Sequence, residues 1–176
     1  MAKAAKTAIA GKERAASRRV TIAASANDRK TNILKMLTYL GTPVADEGRP
    51  EYRMTAFEKM ELVEEGISKK ALENLKAKAG LDYDQLARVL KVARATLINK
   101  KGNDKFNSDV SDKILGLADI YSYGFEVFED RGKLNEWIFR ESRALGNQAP
   151  FDILHTSFGR EEVKNLIGRI EYGIYS

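Results

Sequence analysis

Three side chains near the middle of the chain are of types that read DNA base edges. The Arg94 guanidinium can bond guanine bidentately, the Ala95 methyl can meet that of thymine, and the Asn99 carboxamide suits adenine. Thr96, Lys100, Lys101 and Lys105 lie among them and suit phosphate oxygens, contacts that position a protein without specifying sequence. Residues 86–105 hold Arg88, Lys91, Arg94, Lys100, Lys101 and Lys105 against Asp104 alone, a local net of +5. At the far end of the chain the chemistry is that of association. Tyr172, Ile174 and Tyr175 place apolar groups where a terminus is ordinarily polar and frayed. They imply docking, either back on the protein's own core against Trp137 or into a partner.

Base readout needs a helix that stands out from a scaffold, and the punctuation from Thr55 onward supplies one. Thr55 with Glu58 forms a capping box, opening a helix whose apolar stripe begins at Phe57 and Met60 and stops at Gly66. Ser68 caps a second helix that carries Leu72, Leu75 and Ala79 on one face and ends at Gly80. Asp82 with Gln85 opens a third, where Tyr83, Leu86, Ala87 and Leu90 recur at three and four residues. Lys91-Val92-Ala93 is then a tight connection anchored by Val92, and a helix starting at Arg94 turns Leu97 to the core. With small Ala87 at the crossing, this is a helix-turn-helix. Ala93 stands where Ser or Thr would cap the second helix, a loss of about 1 kcal/mol, and Ile98 is left on the outer side. A helical hairpin with a solvated lysine face has the same spacing.

Further on, Ser108 caps a long helix with Asp109 and Asp112 near its positive dipole end. Val110, Ile114, Leu117 and Tyr121 line it, and Phe125 and Phe128 lead to a turn at Asp130-Arg131-Gly132. Leu134, Trp137, Ile138 and Phe139 form an apolar patch. Pro150 opens a helix after the loop at Leu145-Gly146, and Ile153 and Leu154 follow. The last helix carries Val163, Leu166, Ile167 and Ile170 at core spacing. The expected fold is all-α: a helix-turn-helix domain over residues 51–120 and a small helical C-terminal domain over 121–176. A short helix and linker over 31–50, built on Ile33, Leu34, Met36, Leu37, Tyr39 and Leu40, and a flexible, disordered basic arm over 1–30 precede them.

The net charge of +5 is unevenly spread. Residues 1–40 hold nine Lys/Arg against Glu13 and Asp28, a net of +7, which leaves −2 for the rest. The first 30 residues offer only Ile9, Val20 and Ile22 to offset the entropy of ordering. They read either as a solubilising tail or as an arm that neutralises DNA phosphates. There is no cysteine, so disulfides and thiolate metal sites are excluded and a reducing cytoplasm is the natural location. No run approaches the roughly 20 apolar residues of a membrane span. His155, the single histidine, sits in an apolar stretch, and the pairs Glu64-Glu65 and Glu161-Glu162 diverge around their helices. With no phosphate-loop or dinucleotide glycine pattern, neither catalysis, metal nor cofactor is expected.

Trp137-Ile138, Ala144-Leu145-Gly146, Pro150-Phe151-Asp152-Ile153-Leu154, Thr156, Phe158-Gly159, Val163, Leu166 and Gly168-Arg169-Ile170-Glu171-Tyr172-Gly173-Ile174 form a specific set. Upstream, Glu64-Glu65-Gly66-Ile67-Ser68, Leu72, Leu86-Ala87 and Thr96-Leu97 extend it. Over about two-thirds of its length the chain resembles the Xre-type antitoxins, the Xre/MbcA/ParS group that pairs with RES-domain toxins. The resemblance implies a dimeric, operator-binding antitoxin whose C-terminal domain is a toxin-binding domain covering a toxin that consumes NAD. It places Gly173, Ile174, Tyr175 and Ser176 at the toxin active site, with Arg169 and Tyr172 as nearby contacts. Asn147-Gln148 replace a glycine-containing turn, and Lys113-Ile114-Leu115-Gly116 stands where the group shows arginines. On physical grounds Tyr175 can stack in a nicotinamide or adenine slot while the Ser176 carboxylate meets the cations that hold a pyrophosphate. A helix-turn-helix regulator without a toxin partner, or a basic nucleoid protein, fits the same DNA-binding features.

Overall fold

The computed structural model describes residues 39–41 and 49–174. The expected basic arm, most of the short helix before Gly41, and Tyr175 and Ser176 lie outside them. Among the described residues the elements are all helical: α1 (Ala56–Glu65), α2 (Lys69–Ala79), α3 (Tyr83–Leu90), α4 (Arg94–Asn99), α5 (Ser108–Phe128), α6 (Arg131–Phe139), α7 (Pro150–Ile153) and α8 (Ser157–Glu171). Two 3-10 turns, Glu51–Arg53 and Arg143–Leu145, join them.

Local chemistry sets most boundaries. The Thr55–Glu58 and Asp82–Gln85 capping boxes both close, Ser68 accepts from the Ala71 amide, and Thr156 accepts from that of Gly159. Each satisfies an amide that the first helical turn leaves without an intrahelical partner. Gly80 ends α2 in the left-handed conformation, and Pro150 opens α7. Two expected boundaries move by a residue. Asn107, not Ser108, caps α5, because its carboxamide oxygen reaches the Val110 amide at 3.1 Å. The turn after Phe128 closes at Glu129, and Asp130 caps α6 by accepting from the Lys133 amide.

The 21-residue α5 is the spine, packed against α1, α6, α8 and the Glu51–Arg53 turn. Ile114, Leu117, Ala118 and Tyr121 are fully enclosed on it, and Ser111 accepts from the Ile67 amide at 2.9 Å, tying the start of α2 to the spine. The apolar stripe expected at Phe57 and Met60 is not a core face: Phe57 is 82% exposed and Met60 also faces solvent. Leu62 is the buried residue of α1, and at about 100° per residue Phe57 and Met60 lie about 140° and 160° around the helix from it. In α8, Val163 and Ile167 are enclosed, whereas Leu166 and Ile170, expected in the core, are half-buried. Gly159 lets α8 start against α7, since a Cβ there would stand 1.9 Å from the Ile153 carbonyl oxygen.

Candidate nucleic-acid and partner interfaces

The helix-turn-helix is formed by α3 and α4. Lys91 takes the left-handed conformation after α3, at φ 52°, a tight connection that a non-glycine residue adopts at some cost. Val92 packs on the core as expected. Ala93 supplies no side-chain cap to α4. The helix is fastened instead from its other end. Lys69, buried on α2, donates to the Leu97 carbonyl at 2.7 Å and pairs with Glu73 at 2.6 Å, and both contact the Tyr83 hydroxyl. Burial alone would depress the Lys69 ammonium, but Glu73 and Tyr83 outweigh it and hold its pKa above the usual value. Burial pushes the Glu73 carboxyl the opposite way, and Lys69 and Tyr83 overcome that too, holding it below the usual range.

On this platform Arg94, Ala95, Thr96, Ile98 and Asn99 are exposed, while Leu97 is 0% exposed. The Arg94 Nε pairs with Asp84 of α3 at 3.2 Å, an exposed contact worth at most about 1 kcal/mol. The lysines divide. Lys101 is exposed, but Lys100 lies over the Phe106 ring at 5.4 Å and Lys105 pairs with Glu65 at 2.7 Å.

At the other candidate interface α8 runs to Glu171, and Gly173 turns left-handed at φ +66°, with open space where a Cβ would be. The Ile174 amide donates back to the Arg169 carbonyl at 2.8 Å, closing the helix end. Tyr172 is 77% exposed and Ile174 60% exposed. Tyr172 therefore does not fold onto Trp137, which packs on Phe128 with ring centroids 5.3 Å apart. Ile174 and Arg169 line one end of a groove of about 400 Å³ with Trp137, Arg143 and Ile170. Upstream, the Tyr123 hydroxyl donates to Glu171 at 2.5 Å, and burial, then the Glu171 carboxylate, pushes the Tyr123 pKa up. Tyr123 also stacks on Tyr52 at 5.2 Å.

Several residues that build these surfaces were not singled out from sequence. Asp119 of α5, nearly buried, accepts from Lys59 of α1 and from Lys164 of α8 at 2.7 Å. Arg160 crosses α5 beside Gly116, where a Cβ would meet its side chain at 2.6 Å, and pairs with Asp112 at 3.2 Å. Arg88, counted in the basic stripe, is turned instead toward the C-terminal half, where it pairs with Asp152 of α7 at 3.0 Å and lies over the Phe151 ring at 5.1 Å. Lys69 carried one visible signal, its four-residue spacing to Glu73 behind the Ser68 cap. The His155 Nδ1 lies 2.8 Å from the Asp152 carbonyl oxygen, a local structural contact. Among the described residues no cluster of His, Asp and Glu has the arrangement of a metal site, and no helix is long and apolar enough to cross a membrane.

Comparison with known proteins divides the chain at the same two surfaces. Residues 58–119 match the antitoxin Xre-like helix-turn-helix domain, and residues 124–173 match the antitoxin Xre/MbcA/ParS C-terminal toxin-binding domain. A protein named Antitoxin Xre from Photorhabdus laumondii is 38% identical over 76 residues, which cover 43% of this chain and 51% of the relative, about half its length. Another Antitoxin Xre, from Yersinia enterocolitica, is 25% identical over 131 residues, 73% of this chain and 87% of the relative. The Prs ADP-ribosylating antitoxin of Sphingobium is 24% identical over 136 residues, 71% of this chain and 85% of that protein. With an exposed α4 on a helix-turn-helix scaffold and an α8 whose apolar end is left uncovered, the chain belongs to the Xre/MbcA/ParS antitoxin family.

Proposed function

We propose that this chain is the antitoxin of a toxin–antitoxin pair, that its partner is a RES-type toxin which consumes NAD, and that it also represses its own operon as a homodimer. Residues 173–176 block the toxin active site, Arg169 and Tyr172 support them, and Arg94, Ala95 and Asn99 read the operator while Thr96, Lys100, Lys101 and Lys105 approach phosphates. The observation that carries the reading is the exposed pair Tyr172 and Ile174 on a helix end closed by the Ile174–Arg169 hydrogen bond. Apolar side chains held in the open by an ordered backbone are an interface waiting for its other half. In this reading the chain has no catalytic role and acts in the cytoplasm.

Deleting residues 173–176 tests it in the purified pair, read as NAD consumption, which scores NAD hydrolysis and ADP-ribosyl transfer alike. Toxin activity should return to within a few-fold of the free toxin; inhibition undiminished would reject the occlusion. For the second activity, replacing Arg94 and Asn99 together with alanine should remove preference for the promoter over random DNA at fixed salt, by about 10-fold or more, and leave inhibition intact. Lys100 and Lys105 must exchange Phe106 and Glu65 for phosphates, so their single replacements should weaken binding less than that of Lys101.

A further inference from the structure

The groove beside the end of α8 has a composition that the occlusion of an active site by residues 173–176 does not use. Its apolar lining comes chiefly from Phe128, Trp137, Leu166, Ile170 and Ile174, and its charge from Arg143 and Arg169. Both arginines are exposed. Of the other exposed guanidinium groups, Arg53 holds Glu126, Arg88 holds Asp152 and Arg94 holds Asp84, whereas Arg140 holds no carboxylate among the described residues. The guanidinium groups of Arg143 and Arg169 likewise have no carboxylate and no hydrogen-bond partner among the described residues. Two uncompensated guanidinium groups therefore share one groove with a half-buried indole, and Trp and Arg are the residues that most often dominate binding energy at protein interfaces. At about 400 Å³ the groove has room for a bulky side chain or two. The guanidinium fork selects carboxylate over other polar groups by taking both its oxygens.

We propose that this groove seats a segment of the toxin in which an apolar side chain is flanked by carboxylates, the apolar group lying on Trp137 and the carboxylates on Arg143 and Arg169. This rests on the antitoxin reading above; Ile174 borders the groove, but the side chains that seat the segment, Trp137, Arg143 and Arg169, lie outside residues 173–176, so the groove supplies affinity and the chain end supplies occlusion.

Trp137 is the single tryptophan of the chain, so the full-length protein labelled with 5-fluorotryptophan reports on the groove alone by fluorine NMR. Adding the RES-type toxin encoded by the neighbouring reading frame should shift the Trp137 signal, and the chain ending at Tyr172, which loses only Ile174 from the lining, should still shift on adding toxin while failing to inhibit. Arg143→Glu and Arg169→Glu should each weaken the complex by at least about 30-fold, as loss of a paired interfacial charge does, and Arg143→Lys, which keeps the charge but not the fork, should weaken it by less. Inhibition of the toxin with an unmoved Trp137 signal would overturn the groove and leave the antitoxin reading standing. A shift that vanishes with the truncation would overturn it too, since the chain's own end would then be the occupant. So would the same shift produced by NAD alone, which would make the groove a nucleotide site. A toxin that binds and shifts the signal but stays active would sink the antitoxin reading and keep the groove.

Discussion

Glu51 shows how far a single residue can depart from what its type suggests. A glutamate in a 3-10 turn reads as solvated, yet it is 1% exposed and one carboxylate oxygen accepts from the amides of Tyr39 and Leu40 at 2.7 and 2.6 Å. Its other oxygen is buried without a partner. Burial raises its pKa above the usual glutamate value, and those amides and Lys78 pull it partly back. A folded-state pKa above the unfolded one means that the native state binds the proton more tightly, so the stability this contributes is present at low pH and is lost as pH rises through the raised value. Glu51→Gln keeps an acceptor for both amides and does not titrate. Urea midpoints from about pH 4 to about pH 7 should move steadily in the variant's favour relative to the parent; parallel curves would mean that the carboxyl titrates as if in water. Nothing in the sequence marks this residue, because its partners lie 11 and 12 positions away and meet it only once the chain has folded. Lys69 showed only its spacing to Glu73; its bond to Leu97, which crosses 28 residues, was hidden for the same reason.

Helix starts were legible where the chemistry is local. Thr55, Ser68, Asp82 and Pro150 lie at the positions that their side chains favour, because a cap needs only an amide two or three residues away. At Asn107-Ser108 both residues carry a suitable oxygen, so the pattern could not choose between them. Phe57 and Met60 misled for a different reason. Apolar spacing identifies a face but not what covers it, and among the described residues nothing covers theirs. The junction of α7 and α8 was legible only as a pair of breaks, although the two helices meet closely there. A methyl at Gly159 would stand 1.9 Å from the Ile153 carbonyl oxygen and 2.7 Å from its carbon, backbone that cannot swing aside as a side chain does, and 2.9 Å from the Thr156 hydroxyl that caps α8. Gly159→Ala should therefore destabilise by about 3 kcal/mol or more in urea unfolding; a loss below about 1 kcal/mol would show that α7 can shift away freely.

Across the molecule, the two domain matches abut at α5, and polar contacts cross between them. Asp119 takes Lys59 from the α1 side and Lys164 from α8, while Arg88 of the helix-turn-helix reaches Asp152 of the C-terminal half. Asp119→Ala leaves both ammonium groups without their acceptor. It should lower stability by about 1–3 kcal/mol, less than a fully enclosed pair because Lys164 is 40% exposed. Hydrogen exchange should accelerate in α1 and α8 before α2 and α3; uniform acceleration would mean that the contact bears on the whole core equally. The all-helical division was visible in the sequence, since caps and periodicity repeat throughout. These bridges were not, because lysines and aspartates on helix surfaces ordinarily face water.

The six-residue α4 is clamped at the rear by an ammonium group out of reach of solvent and left unclamped at the tip. Mobile ions screen exposed charges within about 10 Å at ordinary salt and bear far less on the buried bond from the Lys69 ammonium to the Leu97 carbonyl, although Glu73 itself is 41% exposed. Salt strong enough to strip phosphate contacts should therefore leave this finger folded and in place, so that release from DNA is an exchange of ions at its surface rather than a melting of the reader, and rebinding needs no refolding.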